Sequence, residues 1–170
     1  GPNMYFVMAN ETGRPSNMYR VYEVTNTIAS GQALLKMYGP VSSNITYAPA
    51  QLAYQPGGIL LTDIPDELDY IQNAFFENGL IQFSQNTNVN GKAAINIGRI
   101  SGIPNNLSCT AKTIIDPDLY LSYPAIAYTG NSSTDNSAIV GIEHSGANTY
   151  PGLSAVYVNS NFDISPLTTV

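Results

Sequence analysis

Side chains alternate with a period of two residues along almost the whole chain, and this pattern restricts the fold more than any other. In the segment 18–25, for example, Tyr19 and Val21 alternate with Arg20 and Tyr22. Successive side chains of a β-strand point to opposite faces of a sheet, whereas a helix needs a spacing near 3.6 residues. Almost no segment sustains the helical spacing. The sequence therefore predicts an all-β fold of antiparallel strands.

The segment 63–78 is the one place where a helix competes with strands. It starts with Asp63 and Pro65, which favour the first turn of a helix. However, the pair Asn78-Gly79 lies between two apolar, aromatic runs, and this is the strongest short-range signal for a β-hairpin. We therefore predict a hairpin rather than a helix.

The predicted strands group in fours. One group spans 63–116 and the next spans 117–170, with starts about 55 residues apart, an interval typical of β-propeller blades. The segment 3–62 supplies an incomplete third group. We predict a single all-β unit over 3–170, built from antiparallel four-stranded blades in a partial or shared β-propeller, with a β-sandwich as the alternative. Gly1-Pro2 look like the remnant of a cleaved tag and are excluded.

Charge and composition exclude several kinds of partner. Only 11% of the residues are charged, and six Lys and Arg against twelve Asp and Glu give a net charge of −6. A nucleic-acid binder needs the opposite balance, and no apolar run approaches the roughly 18 residues of a membrane span. Low charge and abundant Asn, Thr and Tyr predict a secreted or cell-surface protein, extracellular or periplasmic. Four sequons favour the same setting: Asn10, Asn44, Asn106 and Asn131.

Three short motifs carry a family resemblance. Residues 21–26 look like a blade strand that enters a turn, and residues 50–58 contain a Gln-Pro-Gly loop that leads to an Asp-containing turn. Residues 123–127, followed by Ser145-Gly146, look like a Pro-initiated inner strand and a later Ser-Gly turn. In these motifs the chain resembles a type of secreted bacterial β-propeller domain of largely unknown function. The resemblance implies a propeller fold and an extracellular setting.

The predicted blades are too few to close a propeller. Closure takes about four or more blades, whereas the chain holds two and most of a third. An open half-propeller would expose strand edges and an apolar blade face, which soluble proteins avoid. We therefore expect a homo-oligomer or association with the remaining blades of a larger propeller.

A cluster of carboxylates is the first candidate site. Closely spaced oxygen ligands on irregular backbone suit Ca²⁺, and crowded carboxylates repel one another without a cation. Solvated turn carboxylates are the alternative, and a third possibility is the acid and base of a glycoside hydrolase or lyase. The candidate metal ligands are Asp63, Asp66, Glu67 and Asp69.

The only histidine, His144, stands between Glu143 and Ser145. Adjacent residues of a strand point to opposite faces, so Glu143 is poorly placed to orient the imidazole. The chain also lacks the Gly-x-Ser-x-Gly elbow of many serine hydrolases. We expect a turn or surface histidine and assign no catalytic residue.

Tyrosines are the remaining functional signal, with twelve in the chain. A tyrosine ring stacks on the apolar face of a sugar while Asn and Gln amides hydrogen-bond its hydroxyls. The sequence therefore predicts a non-enzymatic binding module with carbohydrate as the first-choice ligand and a protein surface as the second. The alternatives are a glycoside hydrolase or lyase, a structural subunit of a larger propeller, and tyrosines that only fill space between blades. The candidate ligand-binding residues, in predicted loops, are Tyr47, Tyr54, Tyr120, Tyr123 and Tyr150.

Overall fold

A computed structural model of the chain describes residues 3–10, 14–25, 32–50, 52–61 and 70–170. All regular secondary structure in these ranges is β-strand. The described ranges contain no helix that is long and apolar enough to cross a membrane. The strands are β1 (Met4–Ala9), β2 (Ser16–Thr25), β3 (Leu34–Tyr47), β4 (Tyr54–Gln55), β5 (Ile59–Leu60), β6 (Ile71–Glu77), β7 (Leu80–Val89), β8 (Lys92–Ser101), β9 (Ser108–Ile114), β10 (Leu119–Tyr128), β11 (Ala138–Gly146), β12 (Thr149–Val158) and β13 (Thr168–Thr169).

The strands form three antiparallel meanders and one small hairpin. Sheet I contains β1 to β3, sheet II contains β6 to β9 and sheet III contains β10 to β13, each in sequence order, while β4 pairs with β5. None of these sheets closes on itself within the described part of the chain. The predicted all-β, antiparallel class is confirmed. Sheet II falls within the segment 63–116 and sheet III within 117–170.

The predicted hairpin joins β6 to β7. Asn78 and Gly79 both adopt positive φ, 52° and 75°, as a two-residue turn of type I′ requires. Asn90 and Gly91 repeat this geometry between β7 and β8, with φ values of 53° and 79°. The polar residues of the sequence predict a turn over 86–91 at this place, and that turn is too long, because β7 continues to Val89 before the chain reverses.

A long third strand corrects a second expectation. The sequence indicated a strand over 33–38 and then loop chemistry from Gly39 onward, yet β3 continues to Tyr47. The β2–β3 pairing shifts register between Tyr19 and Val21, opposite the Gly39-Pro40 pair. A bulge of this kind accommodates a proline, which cannot donate to the ladder, and the Gly39 φ of 99° suits a glycine.

Strand β10 also begins earlier than predicted. The alternation indicated a strand from Ala125, whereas β10 starts at Leu119 and passes through a register shift between Ser122 and Ala125. At the shift Tyr123 has a φ of 46°, and its backbone N–H donates to Oδ1 of Asn86 over 3.1 Å. The irregular segment around Pro124 is thus part of the strand.

Sheets I, II and III stack face to face, with sheet II in the middle. Between sheets I and II the rings of Tyr19 and Phe83 lie 4.8 Å apart, and the Tyr19 hydroxyl donates to Oε1 of Gln85 over 2.9 Å. Between sheets II and III, Ile97 joins the cluster that contains Val140. The stacking gives the described chain two hydrophobic clusters, one on each side of sheet II.

Candidate functional site

The five tyrosines predicted to bind a ligand lie on strands, and Tyr47 lies in the core. Its side chain is fully buried at the end of β3, where the hydroxyl donates to the backbone oxygen of Met18 over 3.1 Å. Its ring packs 5.3 Å from that of Tyr19. Tyr47 therefore stabilises the packing of sheet I and has no surface to offer a ligand.

Tyr54 and Tyr120 are brought together, although 66 positions separate them in sequence. Their ring centroids lie 5.7 Å apart with the planes inclined by 56°. The ammonium group of Lys92 lies 5.3 Å from the centroid of the Tyr120 ring and donates to the backbone oxygen of Pro117. A cation over an aromatic face is favourable, so Lys92 and Tyr120 hold each other in place.

Tyr120 and Lys92 border a cleft of about 550 Å³, which we call the Tyr120 cleft, and Tyr54 contacts it only through the Tyr120 ring. It lies where the β7–β8 turn, the β9–β10 connection and the β11–β12 turn meet. Asp118 and Asn148 are exposed there, so a carboxylate, an amide and an ammonium group surround one aromatic ring. The lining residues are Lys92, Pro117, Asp118, Tyr120, Ala147, Asn148 and Thr149.

Local turn chemistry fixes the wall of the Tyr120 cleft. The carboxylate of Asp116 accepts hydrogen bonds from the backbone N–H groups of Asp118 and Leu119, both over 2.9 Å. Short polar side chains form such turns by hydrogen-bonding the backbone a few residues ahead. The turn starts β10 and places Tyr120 one residue inside the strand. A smaller depression of about 280 Å³ adjoins the cleft at Lys92 and Pro117.

A second cleft, of about 460 Å³, lies between β5 and sheet III, and we call it the Ser145 cleft. Ser145 is 2% exposed, and its Oγ has no hydrogen-bond partner among the described residues. Tyr123 borders this cleft, and the exposed Tyr150 directly precedes Pro151 of its wall. The lining residues are Leu60, Leu61, Ser122, Tyr123, Glu143, His144, Ser145, Pro151, Gly152 and Leu153.

The prediction of a turn or surface position for His144 was wrong, because the side chain is only 5% exposed. Its Nδ1 lies 2.8 Å from Oγ of Ser154. Gly152 lies opposite in the β11–β12 ladder, and a Cβ there would approach Nε2 to 3.0 Å. Glu143 points to the opposite, exposed face, as predicted from the strand alternation. The imidazole is thus a hydrogen-bonded core group without an acidic partner at Glu143.

The predicted metal ligands Asp63, Asp66, Glu67 and Asp69 lie outside the described residues, so the Ca²⁺ site stays a prediction. In the part of the chain that the structure describes, no three His, Cys, Asp or Glu side chains lie close enough to hold a metal ion.

Sequence reasoning missed Lys92, Asp118 and Asn148 as members of one site. Each stands next to a turn signal, namely Asn90-Gly91, Pro117 and a short turn between β11 and β12. These signals mark the turns one by one. Their meeting depends on how sheet III packs against sheet II, and no local pattern encodes that packing.

No protein-family model, curated protein or solved structure matches the chain.

Proposed function

We propose that the chain is a non-enzymatic binding module that holds a glycan in the Tyr120 cleft. The observation that carries the proposal is the meeting of the Tyr54 and Tyr120 rings, 5.7 Å apart, at a cleft lined by Lys92, Asp118 and Asn148. Sugars combine an apolar ring face with a rim of hydroxyls. An aromatic ring beside polar side chains matches both features.

Each side chain has a distinct role in this proposal. The half-buried Tyr120 ring packs against the apolar face of one sugar ring, while Tyr54 supports it. Asp118 accepts hydrogen bonds from hydroxyls, the Asn148 amide both donates and accepts, and Lys92 donates. A volume of about 550 Å³ lies within the roughly 300–1,000 Å³ typical of small-molecule sites, so the ligand is a short segment of a glycan.

The test is a glycan array followed by calorimetric titration of the best ligand. We expect Tyr120→Ala to weaken binding about tenfold or more, a loss of about 1.4 kcal/mol. Tyr150→Ala is the matched control, because this tyrosine is 71% exposed and lines neither cleft. Equal affinity of wild type and Tyr120→Ala would refute the site. Cleavage of the bound glycan would favour the glycoside hydrolase or lyase instead.

We further propose a propeller-type architecture in a secreted or cell-surface protein. A stack of one three-stranded and two four-stranded meanders supports blades rather than a sandwich, because a sandwich packs two sheets and this chain stacks three. Low charge and the tyrosine-rich cleft suit an extracellular binding role. Fractionation of the native cells, with detection of the protein by mass spectrometry, would test the location. A protein found only in the cytosol would contradict the proposal.

A further inference from the structure

The face of sheet I that points away from sheet II is broadly apolar, and no described element of the chain packs on it. Its residues on β1 and β3 are large: Met4, Phe6 and Met8 are 50–53% exposed, and Leu35 and Met37 are 67% and 54% exposed. The pairing register places the partly buried Tyr22 and Val24 of β2 between them. We call this set the outer face of sheet I: Met4, Phe6, Met8, Arg20, Tyr22, Val24, Leu35 and Met37.

Arg20 is the only charged side chain of that face. The register places it opposite Met8, and its NH1 approaches Sδ of Met37 at 4.0 Å. Its Nε is buried and has no hydrogen-bond partner among the described residues. A guanidinium embedded in an apolar surface favours an anionic partner, because burying it without one is costly.

At the other end of the stack, the outward face of sheet III has complementary properties. Ile139, Leu153 and Tyr157 are 43%, 57% and 46% exposed around a strip of small residues. A Cβ built at Gly141, in the middle of the strip, would have open space above it. We call this set the outer face of sheet III: Ala125, Ala127, Ile139, Gly141, Glu143, Leu153, Ala155 and Tyr157.

Glu143 is the only charged side chain of the outer face of sheet III, and it is exposed. One end of the stack thus carries a single cation among large apolar side chains, and the other carries a single anion beside a strip of small ones. Soluble proteins rarely leave such apolar faces open to water. Charge and shape therefore both match the first face to the second.

From this match we infer that copies of the chain associate head to tail. The outer face of sheet I of one copy packs on the outer face of sheet III of the next, and Arg20 pairs with Glu143 across the interface. Pairing two copies of the same face would bury like charges without a counter-ion. A head-to-tail contact leaves no open face only if it closes into a ring, so the assembly is a closed ring of this chain. This interface is separate from the proposed glycan site.

Light scattering on the purified chain tests this interface by charge reversal. Wild type should have a mass of at least twice the 18.2 kDa of the single chain, in whole multiples of it. Arg20→Glu and Glu143→Arg should each reduce it to that of the single chain, because each places like charges in contact. The double variant Arg20→Glu/Glu143→Arg should restore the wild-type mass.

Two further variants test whether the loss of mass is specific to the proposed interface. Phe6→Glu should also give the single-chain mass, whereas Ile115→Glu should not, because Ile115 is 62% exposed but belongs to neither face. Circular dichroism verifies that each variant retains its β-structure. A wild-type mass of 18.2 kDa overturns the inference. So does a Glu143→Arg protein that keeps the wild-type mass while Phe6→Glu is monomeric, since that pattern indicates two copies joined through sheet I alone.

Discussion

At the scale of single residues, Glu23 shows how a carboxylate is held inside sheet I. The side chain is 6% exposed and accepts hydrogen bonds from the hydroxyls of Tyr38 and Tyr5, over 2.5 and 3.1 Å, and from the amide of Asn3 over 2.5 Å. The hydrogen bond from Tyr38, with smaller contributions from Tyr5, Lys36 and Asn3, lowers the pKa of Glu23 despite its burial. The same bond raises the pKa of Tyr38 to about 12.

These shifts predict how stability depends on pH. Because the pKa of Glu23 is lower in the folded state, its contribution is complete above the unfolded value of about 4.3 and is lost as the pH falls through the folded pKa. Urea unfolding should therefore show wild type more stable than Glu23→Gln at pH 7, with the difference shrinking in acid. For Tyr38, stability is lost as the pH rises from about 10 toward 12. If the difference in stability between wild type and Glu23→Gln stays constant down to acid pH, the pKa of Glu23 is not lowered in the folded state.

Burial of individual tyrosines was not predictable from the sequence. Tyr47 and Tyr54 both stand in segments rich in Pro and Ala, yet Tyr47 is fully buried and Tyr54 is 39% exposed. The difference arises because β3 extends past Gly39-Pro40 and places Tyr47 in the hydrophobic cluster between sheets I and II. That extension depends on pairing with β2, which is a long-range contact.

At the scale of secondary-structure elements, the β6–β7 hairpin was predictable because its signal is local. Asn78 and Gly79 are among the few residue types that adopt positive φ readily, and two apolar runs flank them. The turn also makes a tertiary contact. The amide of Asn78 donates to the backbone oxygen of Asp135 over 3.2 Å, which joins the hairpin of sheet II to the loop that follows β10.

The φ of 75° at Gly79 gives a prediction for this hairpin. A Cβ at Gly79 would meet no other atom within 4 Å, so a substitution is penalised only through backbone conformation. We expect Gly79→Ala to lower the free energy of unfolding by about 1–2 kcal/mol. Gly79→Asn, a residue that tolerates this conformation, should lose less. Chemical denaturation measures both, and equal losses for the two variants would argue against the type I′ turn.

At the scale of the whole molecule, Arg99 links sheet II to the segments that follow β10 and β12. Its guanidinium donates four hydrogen bonds of 2.7–2.9 Å and lies 4.5 Å from the centroid of the Phe162 ring. Burial lowers the pKa of Arg99. The acceptors are Oε1 of Gln82 and the backbone oxygens of Asn136, Asn159 and Ser160.

Arg99→Lys keeps the charge but loses the planar fork that reaches several acceptors at once. We expect a loss of about 2 kcal/mol in the free energy of unfolding, because a single ammonium group cannot reach all four part-buried or exposed acceptors at once. Lys112→Met is the control: Lys112 and Asp163 form an exposed pair at 3.5 Å, which should contribute less than about 1 kcal/mol. Similar losses for the two variants would show that Arg99 does not join the sheets.

The stacking of three sheets also explains which parts of the site could be predicted. Periodicity and turn residues were sufficient for the all-β, antiparallel class. They could not place Lys92, Tyr120 and Asn148 around one cleft, because these residues meet only through the packing of sheet III on sheet II. Low charge is consistent with the apolar outer faces of sheets I and III.

The most direct test of the proposed binding function is an NMR titration of the chain with ring-labelled tyrosine, using the glycan selected on the array. If the glycan binds in the Tyr120 cleft, the ring signals of Tyr54 and Tyr120 should shift in step with binding, while those of the buried Tyr47 should not move. Binding that leaves the Tyr54 and Tyr120 signals unchanged would show that the glycan does not bind in the Tyr120 cleft.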